Sequence, residues 1–149
     1  MIDPEKLAEV IPETVALKML EPAVYSPYPP GVDTNQYDEM GSIYDRVACN
    51  RYYNRLVWGY WPAEYEVFCR EALSSSPDGW VLDAGCGSLA FTAKTYVEYT
   101  ARPIVFLDQS VTLLKMAKAR LIELNGEVPQ NAVFLHGDIR NGYTIPNDR

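Results

Sequence analysis

The chain has 149 residues, of which 48% are hydrophobic, and this is enough for one globular domain with a buried core. Thirteen Lys and Arg against 20 Asp and Glu give a net charge of −7, which disfavours a nucleic-acid partner. Three cysteines and a single histidine match neither a disulfide set nor a close-spaced metal motif, so we expect reduced thiols and no metal site.

Neither the first residues nor the apolar runs indicate export or membrane insertion. Asp3, Glu5 and Lys6 interrupt the apolar stretch that a signal peptide requires. The longest apolar runs, such as residues 104–107, fall far short of the roughly 20 residues that a membrane-spanning helix needs. We therefore expect a cytoplasmic protein with no membrane partner.

Residues 1–41 are predicted to form an N-terminal arm. A short helix is expected over residues 4–10, where an Asp precedes a Pro at the first helical position. A second helix is expected over residues 12–20, and a proline ends it. The proline content of residues 21–36 disfavours both helix and strand pairing, which predicts an extended surface connection.

Two predicted helices rich in aromatic side chains follow. Ser42 and Asp45 have the spacing of a capping box and predict a helix over residues 43–57. Pro62 begins another helix, in which apolar residues recur at three- and four-residue steps and predict one buried face. That face consists of Tyr65, Phe68, Cys69, Ala72 and Leu73.

From Trp80 onward, short apolar runs alternate with helical stretches. The predicted strands cover residues 80–82, 104–107 and 132–135, and the predicted helices cover residues 89–99 and 111–124. This β-α-β-α-β order implies a parallel sheet with right-handed crossovers. Residues 42–149 are therefore expected to form a three-layer α/β domain with a partial parallel sheet, preceded by N-terminal helices.

The segment from Val81 to Ala90 carries the most informative pattern in the sequence. A buried strand ends, Gly85 and Gly87 turn the chain, and a helix begins, so backbone amides point to where a nucleotide-like ligand binds. Glycine suits these positions because a Cβ atom would block the approach of a ligand. The spacing Gly85-x-Gly87-x-x-Ala90 also satisfies the dinucleotide-binding fingerprint, so the glycines alone do not identify the ligand.

Two carboxylates narrow the choice of ligand. Asp108 ends the second predicted strand about 20 residues beyond Gly87, where an acid accepts hydrogen bonds from the ribose of a bound nucleotide. That placement suits both S-adenosylmethionine and NAD. Asp83 would repel the pyrophosphate of NAD but attract the sulfonium and ammonium groups of S-adenosylmethionine. Charge complementarity therefore favours S-adenosylmethionine.

Residues 81–90 resemble motif I of the class I S-adenosylmethionine-dependent methyltransferases, and residues 106–108 resemble the acidic end of that family's second strand. The resemblance implies a Rossmann-like methyltransferase domain. The implied cofactor contacts are Tyr44, Asp83, Gly85, Cys86, Gly87, Asp108, Gln109, Asp138 and Ile139. In the family, the strand-end acid and the glycines line the methionine end of the cofactor, and the second acid holds the ribose. The segment similar to Asp138 and Ile139 frames the adenine.

Residues 43–48 and 52–56 resemble the opening helix of small-molecule methyltransferases related to quinone-biosynthesis enzymes, where this region covers the cofactor. Tyr44 is an expected cofactor contact on that basis. The aromatic residues between Tyr52 and Trp61 suit either such a lid or ordinary core packing.

Two residues that could be taken as catalytic have simpler interpretations. No base lies near Cys86 in the sequence, so we expect it to pack as a small residue in a tight loop. His136 ends the third predicted strand, and we expect it to be at the surface or hydrogen-bonded rather than a general base. No catalytic acid or base is required by methyl transfer itself, which depends on placing the reacting groups in line.

The predicted function is methyl transfer to a small-molecule acceptor, with this chain carrying the cofactor-binding half. Leu89 stands where many family members have a third glycine, and the predicted strands end before the family's sheet is complete. We therefore expect a fragment of a longer protein, inactive alone, with an unpaired edge at its first strand. The alternatives are an NAD(P)-dependent oxidoreductase and a non-catalytic nucleotide-binding remnant, and a homodimer stays open.

Overall fold

The computed structural model describes residue 2 and residues 17–29, 37–75 and 78–141, which form an α/β fold around a mixed five-stranded sheet. The strands are β1 (Lys18–Glu21), β2 (Val24–Ser26), β3 (Val81–Ala84), β4 (Ile104–Asp108) and β5 (Ala132–His136). Their order across the sheet is β1-β2-β5-β4-β3. The β1–β2 pair is antiparallel and the other pairs are parallel.

The helices are α1 (Tyr37–Ala48), α2 (Arg51–Tyr53), α3 (Pro62–Ser75), α4 (Ala93–Tyr99) and α5 (Val111–Asn125). A π-helical segment (Asn54–Trp58) continues α2, and a 3-10 turn (Ile139–Asn141) follows β5. Helix α5 shows why its bounds were predictable. The Ser110 hydroxyl accepts a hydrogen bond from the Leu113 amide at its start, and Gly126 ends it at φ +83°.

The predicted β-α-β-α-β unit is confirmed in β3-α4-β4-α5-β5. Pairing runs from Val81 opposite Ile104 to Ala84 opposite Leu107, and β4 pairs with β5 along its whole length. Helix α4 begins at Ala93 instead of residue 89, because the chain after β3 first makes an extended loop over residues 85–92. That longer loop forms part of the site described below.

Within the described ranges, helices contribute to the core on only one face of the sheet. Strand residues such as Phe106 and Phe134 pack there with buried residues of α3, α4 and α5. The opposite face holds Val105, Leu107 and Leu135, which pack with residues near the N-terminus and with Leu82. Both crossovers step in the same direction along the sheet, so their helices share a face. The second helical layer of the expected three-layer arrangement is not among the described residues.

The N-terminal arm differs from the prediction. Residues 18–20 form β1 rather than the end of a helix, and Val24 lies fully buried in β2 rather than in a surface connection. Val24 pairs with Phe134 of β5, so the hairpin extends the sheet. Burial between sheet and helices outweighs the local preference of the proline-rich sequence. The predicted helix over residues 4–10 lies outside the described residues.

The predicted helix over residues 43–57 is wrong at both its start and its continuity. Helix α1 begins at Tyr37, so positions 42 and 45 lie inside the helix and not in its first turn. The helical segment is interrupted at Asn50. The Asn50 side chain accepts hydrogen bonds from the amides of Tyr52 and Tyr53 and caps α2.

Helix α3 is present from Pro62 as predicted, but its buried face is narrower than expected. Only Cys69 and Leu73 are buried, whereas Phe68 is 73% exposed. Strand β3 lies at one edge of the described sheet, which agrees with the unpaired edge expected at the first predicted strand. In the part of the chain that the structure describes, no helix is both long and apolar enough to cross a membrane.

Candidate functional site

A cleft opens at the carboxyl ends of the parallel strands. It consists of two adjoining cavities of about 250 and 390 Å³, which share Tyr44, Gly85 and Gly87. The smaller cavity is completed by Asp108, Gln109, Leu113 and Ile139. The larger one is completed by Asp83, by the rest of residues 85–92, and by Ala48, Asn54, Trp58 and Tyr65. Ligands of open α/β sheets bind at this edge.

The structure brings together all but one of the predicted site residues. Those lining the cleft are Tyr44, Asp83, Gly85, Cys86, Gly87, Asp108, Gln109 and Ile139. They come from α1, from β3 and the loop after it, from the end of β4 and from the turn after β5. Asp138 is the exception and lines neither cavity.

The two predicted glycines form the floor shared by both cavities. Gly85 (φ +78°) and Gly87 (φ +56°) adopt left-handed backbone conformations that favour glycine. A Cβ atom built on either residue would meet no other atom within 4 Å. The space that those side chains would have filled is open cleft. The loop thus leaves room for a ligand in contact with its backbone.

Asp108 links the glycine loop to the start of α5. One carboxylate oxygen, Oδ2, accepts a hydrogen bond from the Gly87 amide at 2.8 Å, and Oδ1 accepts one from the Ser110 amide at 2.8 Å. Both contacts orient the carboxylate at the cavity wall. An ionised carboxylate is an acceptor-only group, so Asp108 presents hydrogen-bond acceptors at this wall of the cleft.

Asp83 gives the cleft a second negative group. Its Oδ2 accepts a hydrogen bond from the Tyr96 hydroxyl at 2.8 Å. Burial raises the pKa of Asp83, and the negative charge of Asp108 raises it further, while the Tyr96 hydrogen bond acts in the opposite sense. Among the described residues, no Lys or Arg lines the cleft to balance the two carboxylates. The described lining of the cleft thus contains two carboxyl groups and no cationic side chain.

Asp138 forms an ion pair with Arg140, two residues further along the chain. Arg140 Nε donates to Asp138 Oδ1 at 3.0 Å and to Oδ2 at 2.9 Å, and these contacts lower the pKa of Asp138 to about 2. Ile139, between the two, does line the smaller cavity. The apolar half of the predicted adenine segment is therefore in place, and the acidic half is paired with Arg140.

The simpler interpretations of Cys86 and His136 agree with the structure. Burial, followed by the charges of Asp83 and Asp108, raises the pKa of the Cys86 thiol well above its ordinary value, so it stays protonated. His136 is buried, with Nδ1 3.0 Å from the Ser26 hydroxyl and Nε2 3.0 Å from the Gln109 carbonyl oxygen. Because a carbonyl only accepts, Nε2 donates in that pair.

A polar cluster behind the glycine loop was missed by the sequence reasoning. Asp45 of α1 is 8% exposed and accepts hydrogen bonds from Ser88 of the loop and from Arg120 of α5. Burial acts to raise the pKa of Asp45, but the hydrogen bonds from Arg120 and Ser88 outweigh it and lower the pKa. No local signal could reveal this cluster, because Asp45 and Arg120 are 75 positions apart.

The aromatic segment after α1 borders the cleft instead of filling a core. Trp58 and Tyr65 line the larger cavity, and Tyr65 stacks on Phe91 with ring centroids 5.4 Å apart. The neighbouring Leu56 is 85% exposed. The aromatic segment was expected to form either a lid or part of a core, and its exposure does not agree with core packing.

Comparison with known proteins adds no assignment to this site. A scan against protein-family models finds no matching family, and a search of curated proteins finds no similar sequence. Within the described ranges, no group of three or more His, Cys, Asp or Glu side chains could hold a metal ion. The functional argument therefore depends on the residues and geometry of the cleft.

Proposed function

We propose that this chain binds S-adenosylmethionine in the cleft and is the cofactor-binding half of a class I methyltransferase acting on a small molecule. The single observation that carries the proposal is the pairing of two carboxylates, Asp83 and Asp108, with a glycine loop open to the cleft. The parallel strand order β5-β4-β3, with α4 and α5 on one face, supports a Rossmann-like domain, because nucleotide-like ligands of such sheets bind at the carboxyl ends of the strands.

The residues present fit this cofactor. The open positions at Gly85 and Gly87 provide a cradle that a Cβ atom would fill. Asp108 lines the smaller cavity as a hydrogen-bond acceptor suited to ribose hydroxyls, and its contacts with the Gly87 and Ser110 amides hold it in place. Asp83 supplies negative charge for the cationic methionine end, and Ile139 supplies an apolar wall for the adenine.

The chain's contribution to the reaction would be binding, orientation and charge. Bound S-adenosylmethionine would supply a methyl group activated by its sulfonium. Asp108 and the glycine loop would orient the adenosyl part, and Asp83 would stabilise the charged end. Asp83 also disfavours the alternative of a nicotinamide cofactor, because its charge would face the pyrophosphate.

Calorimetric titration with S-adenosylhomocysteine tests the proposal directly. We expect binding by the wild-type chain and a loss of about tenfold or more in affinity for Asp108→Ala, equivalent to roughly 1.4 kcal/mol. Asp78→Ala is the matched control, because Asp78 is an exposed acid outside the cleft and its removal changes the net charge equally. We expect that variant to bind like the wild type.

Parallel titrations with NAD and NADP separate the alternatives. Binding of a nicotinamide dinucleotide without binding of S-adenosylhomocysteine would favour the oxidoreductase. Binding of neither class of ligand by a folded chain would contradict the proposal that the cleft is a cofactor site.

A further inference from the structure

Helix α1 approaches α5 at a position where α1 carries a glycine. A Cβ atom built on Gly41 would lie 2.7 Å from Thr112 Cγ2 and 3.3 Å from Thr112 Cβ. Gly41 is buried in the interior of the helix, where glycine costs about 1 kcal/mol relative to alanine. The residue is thus unfavourable for the helix itself but allows α1 to lie close to the first turn of α5.

A second contact between the same two helices lies one turn further along α1. Gly41 and Asp45 are four residues apart and share a face of the helix. Arg120 of α5 donates to Asp45 Oδ2 at 2.6 Å and to Oδ1 at 3.1 Å. A half-buried arginine that binds both oxygens of a carboxylate fixes orientation as well as distance.

The same arginine also reaches the glycine loop. Arg120 donates to the carbonyl oxygen of Ser88 at 2.5 Å, and the Ser88 hydroxyl donates to Asp45. Ser88 directly follows Gly87, and Asp45 directly follows Tyr44, so each partner is adjacent to a residue of the cleft. Neither Arg120 nor Thr112 lines the cleft, so both would act through the elements they hold.

We propose that two contacts between α1 and α5 set the position of Tyr44 and of the glycine loop around the cofactor. We call these contacts the docking seam; they join Gly41 to Thr112 and Asp45 to Arg120. These four are positioning residues and not catalytic residues. The inference rests on the proposed function for the identity of the ligand. The contacts that make up the seam are independent of that identity.

The close approach at Gly41 allows a test by a substitution that removes no polar side chain. Gly41→Ala should place a methyl group against Thr112 and push α1 away from α5, reducing affinity for S-adenosylhomocysteine by about tenfold. Alanine favours the helix over glycine, so such a loss cannot come from a weaker helix. Thr112→Ala removes the nearest atom, and the double variant should recover affinity to within about threefold of the Thr112→Ala single variant.

Several outcomes of this comparison of single and double variants would contradict the proposed docking seam. Wild-type affinity in Gly41→Ala would show that the close approach does not position the site. A double variant as weak as Gly41→Ala would show that Thr112 is not the obstacle. If the wild-type chain did not bind S-adenosylhomocysteine, the proposed function would be contradicted. Hydrogen exchange, which needs no ligand, would still test the docking seam.

Hydrogen exchange in the ligand-free chain tests the seam without a cofactor. Arg120→Met should raise amide exchange in α1 and in residues 85–89 together, because one side chain holds both. Lys118→Met is the matched control on the same helix, since Lys118 pairs with Glu21 of β1 at 2.8 Å. Unchanged exchange of residues 85–89 in Arg120→Met, or an equal rise in Lys118→Met, would contradict the proposal. Gly41→Ala, measured the same way, should raise exchange in both regions, although it removes no charged side chain.

Discussion

At the scale of single residues, Asp83 combines a cost in stability with the role in ligand binding that we propose for it. Its pKa is raised by burial and by Asp108, so the ionised form is disfavoured in the folded chain. A carboxyl with a raised folded-state pKa stabilises the protein below its unfolded pKa, and this contribution is lost as pH rises through the folded pKa. Near neutral pH, Asp83 therefore lowers stability, and its ionised form would supply the negative charge that the proposed cationic cofactor needs.

Asp83→Asn should separate these two effects. Asparagine keeps an oxygen that can accept the Tyr96 hydrogen bond and removes the charge, so the free energy of unfolding at pH 7 should rise. Affinity for S-adenosylmethionine should fall by about tenfold or more, and by less for S-adenosylhomocysteine, which lacks the sulfonium charge. Urea unfolding between pH 4 and pH 8 and calorimetry would measure both, with Asp78→Asn as control. A less stable Asp83→Asn protein at pH 7 would refute the electrostatic argument.

At the scale of elements, the loop between β3 and α4 contains a leucine in an unfavourable backbone conformation. Leu89 has φ +55°, yet its side chain is only 2% exposed and packs in the core. A left-handed conformation costs an L-residue roughly 1–2 kcal/mol, whereas burying a leucine is worth more than that. Packing of the side chain therefore holds the loop in a conformation that glycine would adopt freely.

The balance between packing and backbone strain at Leu89 predicts that a glycine variant is more stable than an alanine variant, the reverse of the order expected inside a helix. Leu89→Ala loses packing and keeps the backbone strain, so it should cost about 2–5 kcal/mol. Leu89→Gly relieves the strain and should be the more stable of the two by about 1 kcal/mol. At Leu114, which is fully buried inside α5, glycine should instead be the less stable by about 1 kcal/mol. Chemical denaturation of the four variants measures the two differences, and the same order at both positions would contradict the explanation.

At the scale of the whole molecule, the N-terminal hairpin belongs to the same sheet as the cleft. Val24 is fully buried, and the Phe134 amide donates to the Ala23 carbonyl oxygen at 2.8 Å. The hairpin thus covers β5, whose other neighbour is β4. Residues that appeared to be a peripheral arm contribute to the core that supports the site.

Val24→Ala should therefore destabilise the entire fold. We expect a loss of about 1–3 kcal/mol in the free energy of unfolding, within a single cooperative transition. Met19→Ala in the same hairpin is the matched control, because Met19 is 62% exposed and its truncation should change stability by less than about 0.5 kcal/mol. An equal effect of both substitutions, or a separate early transition of the hairpin, would show that the arm is not part of the core.

Local patterns determined the parts of this protein that depend on neighbours in the sequence. The strand and helix order from residue 80 onward follows from runs of apolar residues, and the ends of α5 follow from Ser110 and Gly126. Gly85 and Gly87, together with the strand-end acids, were identifiable because a tight turn needs left-handed backbone and because parallel strands end at one edge. The glycine loop and the two strand-end acids of the candidate site were therefore predictable before any tertiary contact was known, whereas lining residues such as Asn54, Tyr65 and Leu113 were not.

Only the tertiary structure decided the features that depend on distant partners. Lys18–Glu21 and Val24–Ser26 became strands because β5 offered an edge to pair with, which no local pattern shows. Asp45 became part of a buried ion pair because α5 brings Arg120 to it, whereas the sequence pattern had predicted it as the acidic residue of a capping box. Sequence periodicity reports which residues avoid water, whereas the choice of partner depends on how the chain folds back on itself.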